Sequence, residues 1–263
     1  MLQAAVADTS AWDGDSKSGI RLIAGSTKIE SGTPIIQAGV EIRLASGWKT
    51  YWRYPGDSGV PPHFDFNQSD NVKSVSLSWP APERIADTEG VTIGYKKGVV
   101  FPLRVVPKDA SKPVLLRLKL DYAICEKLCI PAQGRAELTL KSGSDETIAL
   151  IAASEKRIPH KSPLGANAPL SVKSFHRDDS VKPARLIVDV GAPARVPVTL
   201  FAEGPATDWA LPVPKPTDGA PEGMQRFVFA LDGMPPGKTA DGATIRLTAV
   251  SAQDAIETTI RLD

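Results

Sequence analysis

The sequence predicts an all-β protein in two domains joined by one short helix. Three observations carry this reading. Apolar and polar residues alternate with period two in segment after segment, the mark of half-buried strands. The chain has 23 Pro and 21 Gly, which favours many turns and few helices. One stretch alone carries helical spacing. At 263 residues with 42% hydrophobic content, the chain has material for two ordinary cores.

The first domain opens its clear alternation at "GVEIRLA", where Val40, Ile42 and Leu44 point one way and Glu41 and Arg43 the other. Strands are expected next at 75–79, 99–105, 114–124 and 136–141. Between "GVEIRLA" and the strand at 75–79 lies "SGWKTYWRYPGDSG". Alternation there puts Trp48, Thr50 and Trp52 on one face and Lys49, Tyr51 and Arg53 on the other. One face is expected in the core and the other on display, ending in a Pro55–Gly56 turn.

In "SDETIALIAASEKRIP", Ile148, Ile151 and Ala152 recur with helical spacing. Acidic residues come early, basic residues late, and a proline closes the stretch, as the helix dipole favours. This is the linking helix, about 145–158. The domains are then 1–160 and 161–263. The second has strand signals at 170–175, 184–190, 196–202, 226–231, 243–250 and 255–262, a spacing that suggests a β-sandwich. The proline-rich "GPATDWALPVPKPTDGAPEG" reads as a surface loop or, less simply, an interaction arm.

Lys+Arg 31 against Asp+Glu 30 gives formal charge +1, so charge offers no reason to expect nucleic acid or an anionic membrane surface. Nucleophile-elbow, Walker, dinucleotide and HExxH motifs are absent, and no cofactor is implied. The three histidines, His63, His160 and His176, are scattered.

The chemistry concentrates in "LDYAICEKLCIPA", which holds both cysteines of the chain, Cys125 and Cys129. The strand before them buries Leu116, Leu118, Leu120, Tyr122 and Ile124. Cys125 therefore leaves it on the polar side, at a hairpin end that returns through Ala136, Leu138 and Leu140. Three readings stand. A small structural clip is one. A metal site is another, though none of the histidines is nearby in sequence. The third is an exchange pair, which must be approachable by an attacking thiolate. Lys127 favours a thiolate there and Glu126 opposes it. Tyr51 and its aromatic neighbours would then wall the cysteines.

"GWKTYWRYPGDSG", "IGYKKGVVFPLRV" and "LDYAICEKLCIP" together resemble the N-terminal periplasmic domain of the disulfide reductase DsbD, and more closely its ScsB-type relatives. The resemblance covers roughly 15–142, and more weakly the region that follows. It implies an immunoglobulin-like sandwich with a reversible cysteine pair. Electrons would come from a DsbD/ScsB-type membrane donor and pass to thioredoxin-like periplasmic proteins. The family pair maps onto Cys125 and Cys129, the family's strand tyrosine before them onto Tyr122, and an aromatic near the pair onto Tyr51. A shielding cap loop would fall at Ala86–Lys97, with Tyr95 in it, so Tyr51, Tyr95 and Tyr122 are the candidate substrate contacts. The pair is three residues apart here and five in DsbD, and no phenylalanine cap is visible. No metal is implied. The expected location is the periplasm, with a cleaved signal peptide upstream of about Ala4. Cys125 is the expected attacking sulfur. The rival expectation is a non-enzymatic scaffold with a structural disulfide, serving copper tolerance or cytochrome maturation.

Overall fold

A computed structural model of the chain describes residues 7–56, 59–87, 90–193 and 196–263. The position near Ala4, where a signal peptide was expected to end, and residues 88–89 of the expected cap loop lie outside these residues.

The strands of the first half are β1 (Asp13–Gly14), β2 (Ser18–Glu30), β3 (Thr33–Leu44), β4 (Lys49–Gly56), β5 (His63–Asp65), β6 (Val72–Leu77), β7 (Glu83–Asp87), β8 (Gly90–Lys96), β9 (Gly98–Pro107), β10 (Val114–Cys125) and β11 (Cys129–Leu140). Helix α1 (Asp145–Glu155) follows. Then come β12 (His160–Lys161), β13 (Ser171–Asp178), β14 (Arg185–Gly191), β15 (Thr199–Glu203), β16 (Lys215–Thr217), β17 (Met224–Ala230), β18 (Thr244–Val250) and β19 (Ala255–Arg261). The fold is all-β, with immunoglobulin-like sheet layering and one short helix.

By its internal contacts the chain forms two units. The first comprises the described residues of Met1–Arg53, Gly59–Glu83 and Gly94–Ile158; the second comprises those of Tyr54–Ser58, Arg84–Ile93 and Pro159–Asp263.

One sheet runs β1-β2-β3-β9-β6, and the other runs β11-β10-β4-β8-β7 with β5 also on β10. Between them lies a core of Leu22, Val40, Phe101, Leu116, Leu120 and Trp52, all inaccessible to solvent. Phe101 anchors it, meeting Phe64 and Trp79 edge-on at 5.1 Å each, the arrangement that aromatic quadrupoles favour. Helix α1 docks on the first sheet. Ser144 caps it by accepting the Thr147 N–H at 3.3 Å. Ile151 is buried beside Gly25, where a β-carbon would come within 2.9 Å of it. Glu155 accepts a bond of 2.7 Å from the Gln37 amide.

The exposed edge of the second sheet is β11. Its Arg135 N–H donates to the Asp13 carboxylate at 2.6 Å. Pro131, at the same phase of the strand, has no N–H to leave open. A proline and a side-chain acceptor thus blunt an edge that would otherwise recruit another strand.

In the second unit, sheets β13-β14-β17-β16 and β12-β19-β18-β15 carry the inward sets Leu186, Val188, Val190, Phe227 and Ile245, Leu247, Ile256. The proline-rich segment is exposed at 205–208, 210, 215–219 and 221–223, as a surface loop is, but it is anchored at its centre. Trp209, Leu211 and Val213 are buried, at 5%, 3% and 6% exposure, and Gly204 gives the indole room. Large apolar side chains pin the loop at its centre while the residues on either side stay exposed.

Candidate functional site

The site starts from the hairpin β10–β11, which pairs without a break from Val114↔Leu140 to Cys125↔Cys129. The even residues of β10 face the core, as their alternation requires. A three-residue loop, Glu126, Lys127 and Leu128, crosses the end, and all three side chains are exposed. Cys125 and Cys129 therefore oppose each other directly, with α-carbons 4.1 Å apart, and are joined as a disulfide. Leu128, between them, is 74% exposed, the most exposed large apolar side chain among the described residues.

The two sulfurs are not equivalent. Cys129 is exposed, whereas Cys125 retains 5% exposure. Here the structure corrects the expectation that Cys125 leaves the strand on the solvated side. The odd face of β10 is open at Lys119 but closes toward its end. Ala123 and Cys125 lie there in one buried cluster with Tyr51. Strand β4 supplies the cover: it pairs with the end of β10, Thr50 opposite Ile124 and Lys49 opposite Cys125. The Thr50 hydroxyl donates to the Ala123 carbonyl at 2.9 Å and fixes that register.

The aromatic stretch is thus a central strand buried on both faces. Lys49, Thr50, Tyr51 and Trp52 are each no more than 6% exposed, so Tyr51 is not displayed as its alternation suggested. Two glycines let this happen. At Gly94 on β8 a β-carbon would stand 2.0 Å from the Thr50 carbonyl oxygen, so only glycine allows β8 so close to β4. Gly47, at φ +86°, turns the chain into β4 under the Glu126 carboxylate.

Tyr51 reaches the pair. Its hydroxyl lies 3.0 Å from Cys129 Sγ. A disulfide sulfur carries no proton, so the phenol is the donor. The other two tyrosines are placed elsewhere. Tyr122 is on the even face of β10, 4% exposed, its hydroxyl 2.9 Å from that of Ser18. Burial raises its pKa, with the Ser18 bond acting in the opposite direction. Tyr95 is 1% exposed and donates to the Pro80 carbonyl at 2.8 Å; burial raises its pKa well above the usual value. Both rings are core residues with satisfied hydroxyls, and the structure brings neither to a surface where a substrate could touch it. The expected cap loop, Ala86–Lys97, is largely strand, the end of β7 and all of β8.

Sequence reasoning passed over Lys49. It was assigned to the polar face of an amphipathic strand, and only the pairing register with Cys125 reveals its position. Among the described residues no three His, Cys, Asp or Glu side chains come together as a metal site. Among the described residues no helix is long and apolar enough to cross a membrane.

Residues 28–141 match the family model described as thiol:disulfide interchange protein DsbD, N-terminal. Among solved structures, the N-terminal periplasmic domain of ScsB from Proteus mirabilis superposes with TM-score 0.75 at 20% identity, covering 97% of this chain and 98% of that one. No curated protein sequence matches the chain. The resemblance read from the three motifs is thereby borne out, as is the fold it implied.

Proposed function

We propose that this chain is a periplasmic thiol–disulfide exchange module that relays reducing equivalents through Cys125 and Cys129, with Cys129 as the sulfur that meets its partners. The carrying observation is the asymmetry of the pair: an exposed Cys129 bonded to a buried Cys125. Exchange needs in-line access to one sulfur, and only Cys129 offers it.

The oxidised pair is reduced by a protein dithiol, which the family match suggests is a DsbD/ScsB-type membrane donor. Its thiolate attacks Cys129 Sγ. A bond forms between the two proteins, the Cys125–Cys129 bond breaks, and its electron pair leaves on Cys125 Sγ. The donor's second thiolate then attacks its own sulfur in the mixed disulfide, releasing Cys129 as a thiolate and leaving the donor oxidised. In the forward direction the Cys129 thiolate attacks the disulfide of a thioredoxin-like protein, and Cys125 resolves the intermediate. Tyr51 donates a hydrogen bond at Cys129 throughout, favouring the charged form. Leu128 gives the incoming protein an apolar contact beside the sulfur.

Trapping with single mutants tests the assignment. Cys125→Ala leaves Cys129 without a resolving thiol, so this variant accumulates a mixed disulfide with a thioredoxin-like protein. Cys129→Ala, whose remaining sulfur is buried, accumulates little. Equal capture by both overturns the assignment of Cys129, and capture by neither makes the bridge structural and the chain a scaffold.

A further inference from the structure

An exposed sulfur is open to any thiolate, whether small or carried on a protein. The residues around Cys129 separate the two. Leu128 precedes it in the crossing loop and is 74% exposed. Pro131, on the same face of β11 as Cys129, is exposed as well. Cys129 thus sits between two apolar side chains that face water. The charged residues of the loop are Glu126 and Lys127, one of each sign, so the loop has no net charge with which to sort what approaches.

Folding gives no reason for the leucine. Tight turns draw on Gly, Asn, Asp, Ser and Pro, which supply the backbone angles or local hydrogen bonds a turn needs. A leucine supplies neither, and a side chain so exposed adds little to a core. A lone exposed leucine elsewhere on a surface is ordinary. This one is the immediate neighbour of the sulfur assigned to react.

Covalent geometry then says what covers it. Disulfide-bonded α-carbons are about 4.4–6.8 Å apart, and those of neighbouring residues about 3.8 Å. The Leu128 α-carbon is therefore within roughly 11 Å of that of any cysteine bonded to Cys129. A modest protein interface of about 600–800 Å² per partner is a disc of roughly 14–16 Å radius, so a protein held by that bond covers the leucine. A small thiol held by its sulfur leaves it in water.

We infer that Leu128 is a specificity-determining residue: it selects protein partners over small thiols, and among proteins those whose reactive cysteine lies within an uncharged, apolar rim. The inference rests on the exchange reading and adds the class of partner the site prefers. Burying one leucine is worth roughly ten- to a hundred-fold in an equilibrium constant. A charged group at the same place on the partner would lose its water against a side chain that cannot hydrogen-bond to it.

The test compares the rates at which two probes open the Cys125–Cys129 bond: reduced thioredoxin, a protein dithiol, and dithiothreitol, a small one. The unsubstituted protein, Leu128→Ser and Leu128→Met are measured side by side. The ratio of the thioredoxin rate to the dithiothreitol rate is expected to fall about five- to tenfold in Leu128→Ser and to return in Leu128→Met, whose side chain is again apolar and of similar size. Because both probes meet the same two sulfurs, the ratio cancels any change in the bond itself. An unchanged ratio overturns the inference and leaves the exchange reading standing, since thioredoxin still opens the bond. Failure of thioredoxin to open the bond in the unsubstituted protein, where dithiothreitol does, overturns both. Sedimentation velocity tests the other occupant, a second copy of this chain: a dimer that Leu128→Ser disperses would assign the leucine to self-association and overturn the inference.

Discussion

At the residue scale, function depends on which atoms a side chain can still reach after the sheet has closed over it. Tyr51 is 1% exposed, yet its hydroxyl emerges beside Cys129 Sγ at 3.0 Å. Its ring is held on one side by Ala123 and Cys125, so the phenol cannot swing away without opening the cluster. A hydrogen bond to a charged group is worth about 1.5–3 kcal/mol, and one pKa unit is about 1.4 kcal/mol. Tyr51→Phe keeps the ring and removes the donor. It is expected to raise the Cys129 thiol pKa by about one unit, measured by the pH dependence of alkylation in a Cys125→Ala background. An unchanged profile would remove Tyr51 from the site.

At the scale of elements, cross-strand pairs decide both units. In the second, Asp189 on β14 faces Arg226 on β17 and holds its guanidinium by two bonds, 2.7 and 2.9 Å long. The Arg226 bonds hold the Asp189 pKa below the ordinary carboxylate value despite the opposing effect of burial. A depressed carboxylate stabilises the fold above its unfolded pKa, and that contribution is lost as pH falls through the folded one. Asp189→Asn is therefore expected to cost about 2 kcal/mol at neutral pH. The gap from the unsubstituted protein should begin to narrow as pH falls through about 4, the unfolded value, and close only below the depressed folded value, where Asp189 is neutral. Urea unfolding at pH 7 and pH 3 measures it, and a gap independent of pH would assign the pair no ionic role.

Strands with one dry and one wet face were legible as alternation, and the β10–β11 hairpin is the clearest case. Strand β2 was not, because Ile20, Leu22, Ile23 and Ala24 are all buried and nothing alternates. The same cause misled the reading of β4, where a buried lysine resembled a solvated one. The cysteine pair was legible too, as the chain's two thiols at the end of an alternating hairpin. Its asymmetry required the pairing of β4 with β10, which joins residues 73 positions apart, as in the Thr50–Ala123 bond. Tyr95 and Tyr122 were singled out by resemblance, and burial places them in the core instead.

For the whole molecule, both cysteines and Tyr51 lie in the first unit, and residues beyond Pro159 contain no thiol. We propose that 1–160 is the exchange domain and 161–263 a second domain without redox chemistry of its own. The disulfide is a minor part of the stability of that first unit. A loop of about five residues contributes roughly 2 kcal/mol by the chain-entropy account. Each buried leucine of the hairpin contributes about 1.5–3 kcal/mol, and Leu116, Leu118, Leu120, Leu138 and Leu140 are all buried. Both redox states should therefore be native, which a relay requires.

The most direct measurement is the reduction potential of the Cys125–Cys129 pair, titrated in thiol redox buffers while near-ultraviolet circular dichroism follows the fold. A structural bridge has a potential below about −300 mV, and a working pair a higher one. The account predicts a value above about −300 mV, with the reduced protein folded and the change reversible. A potential below that limit, or unfolding of the first unit on reduction, would contradict it.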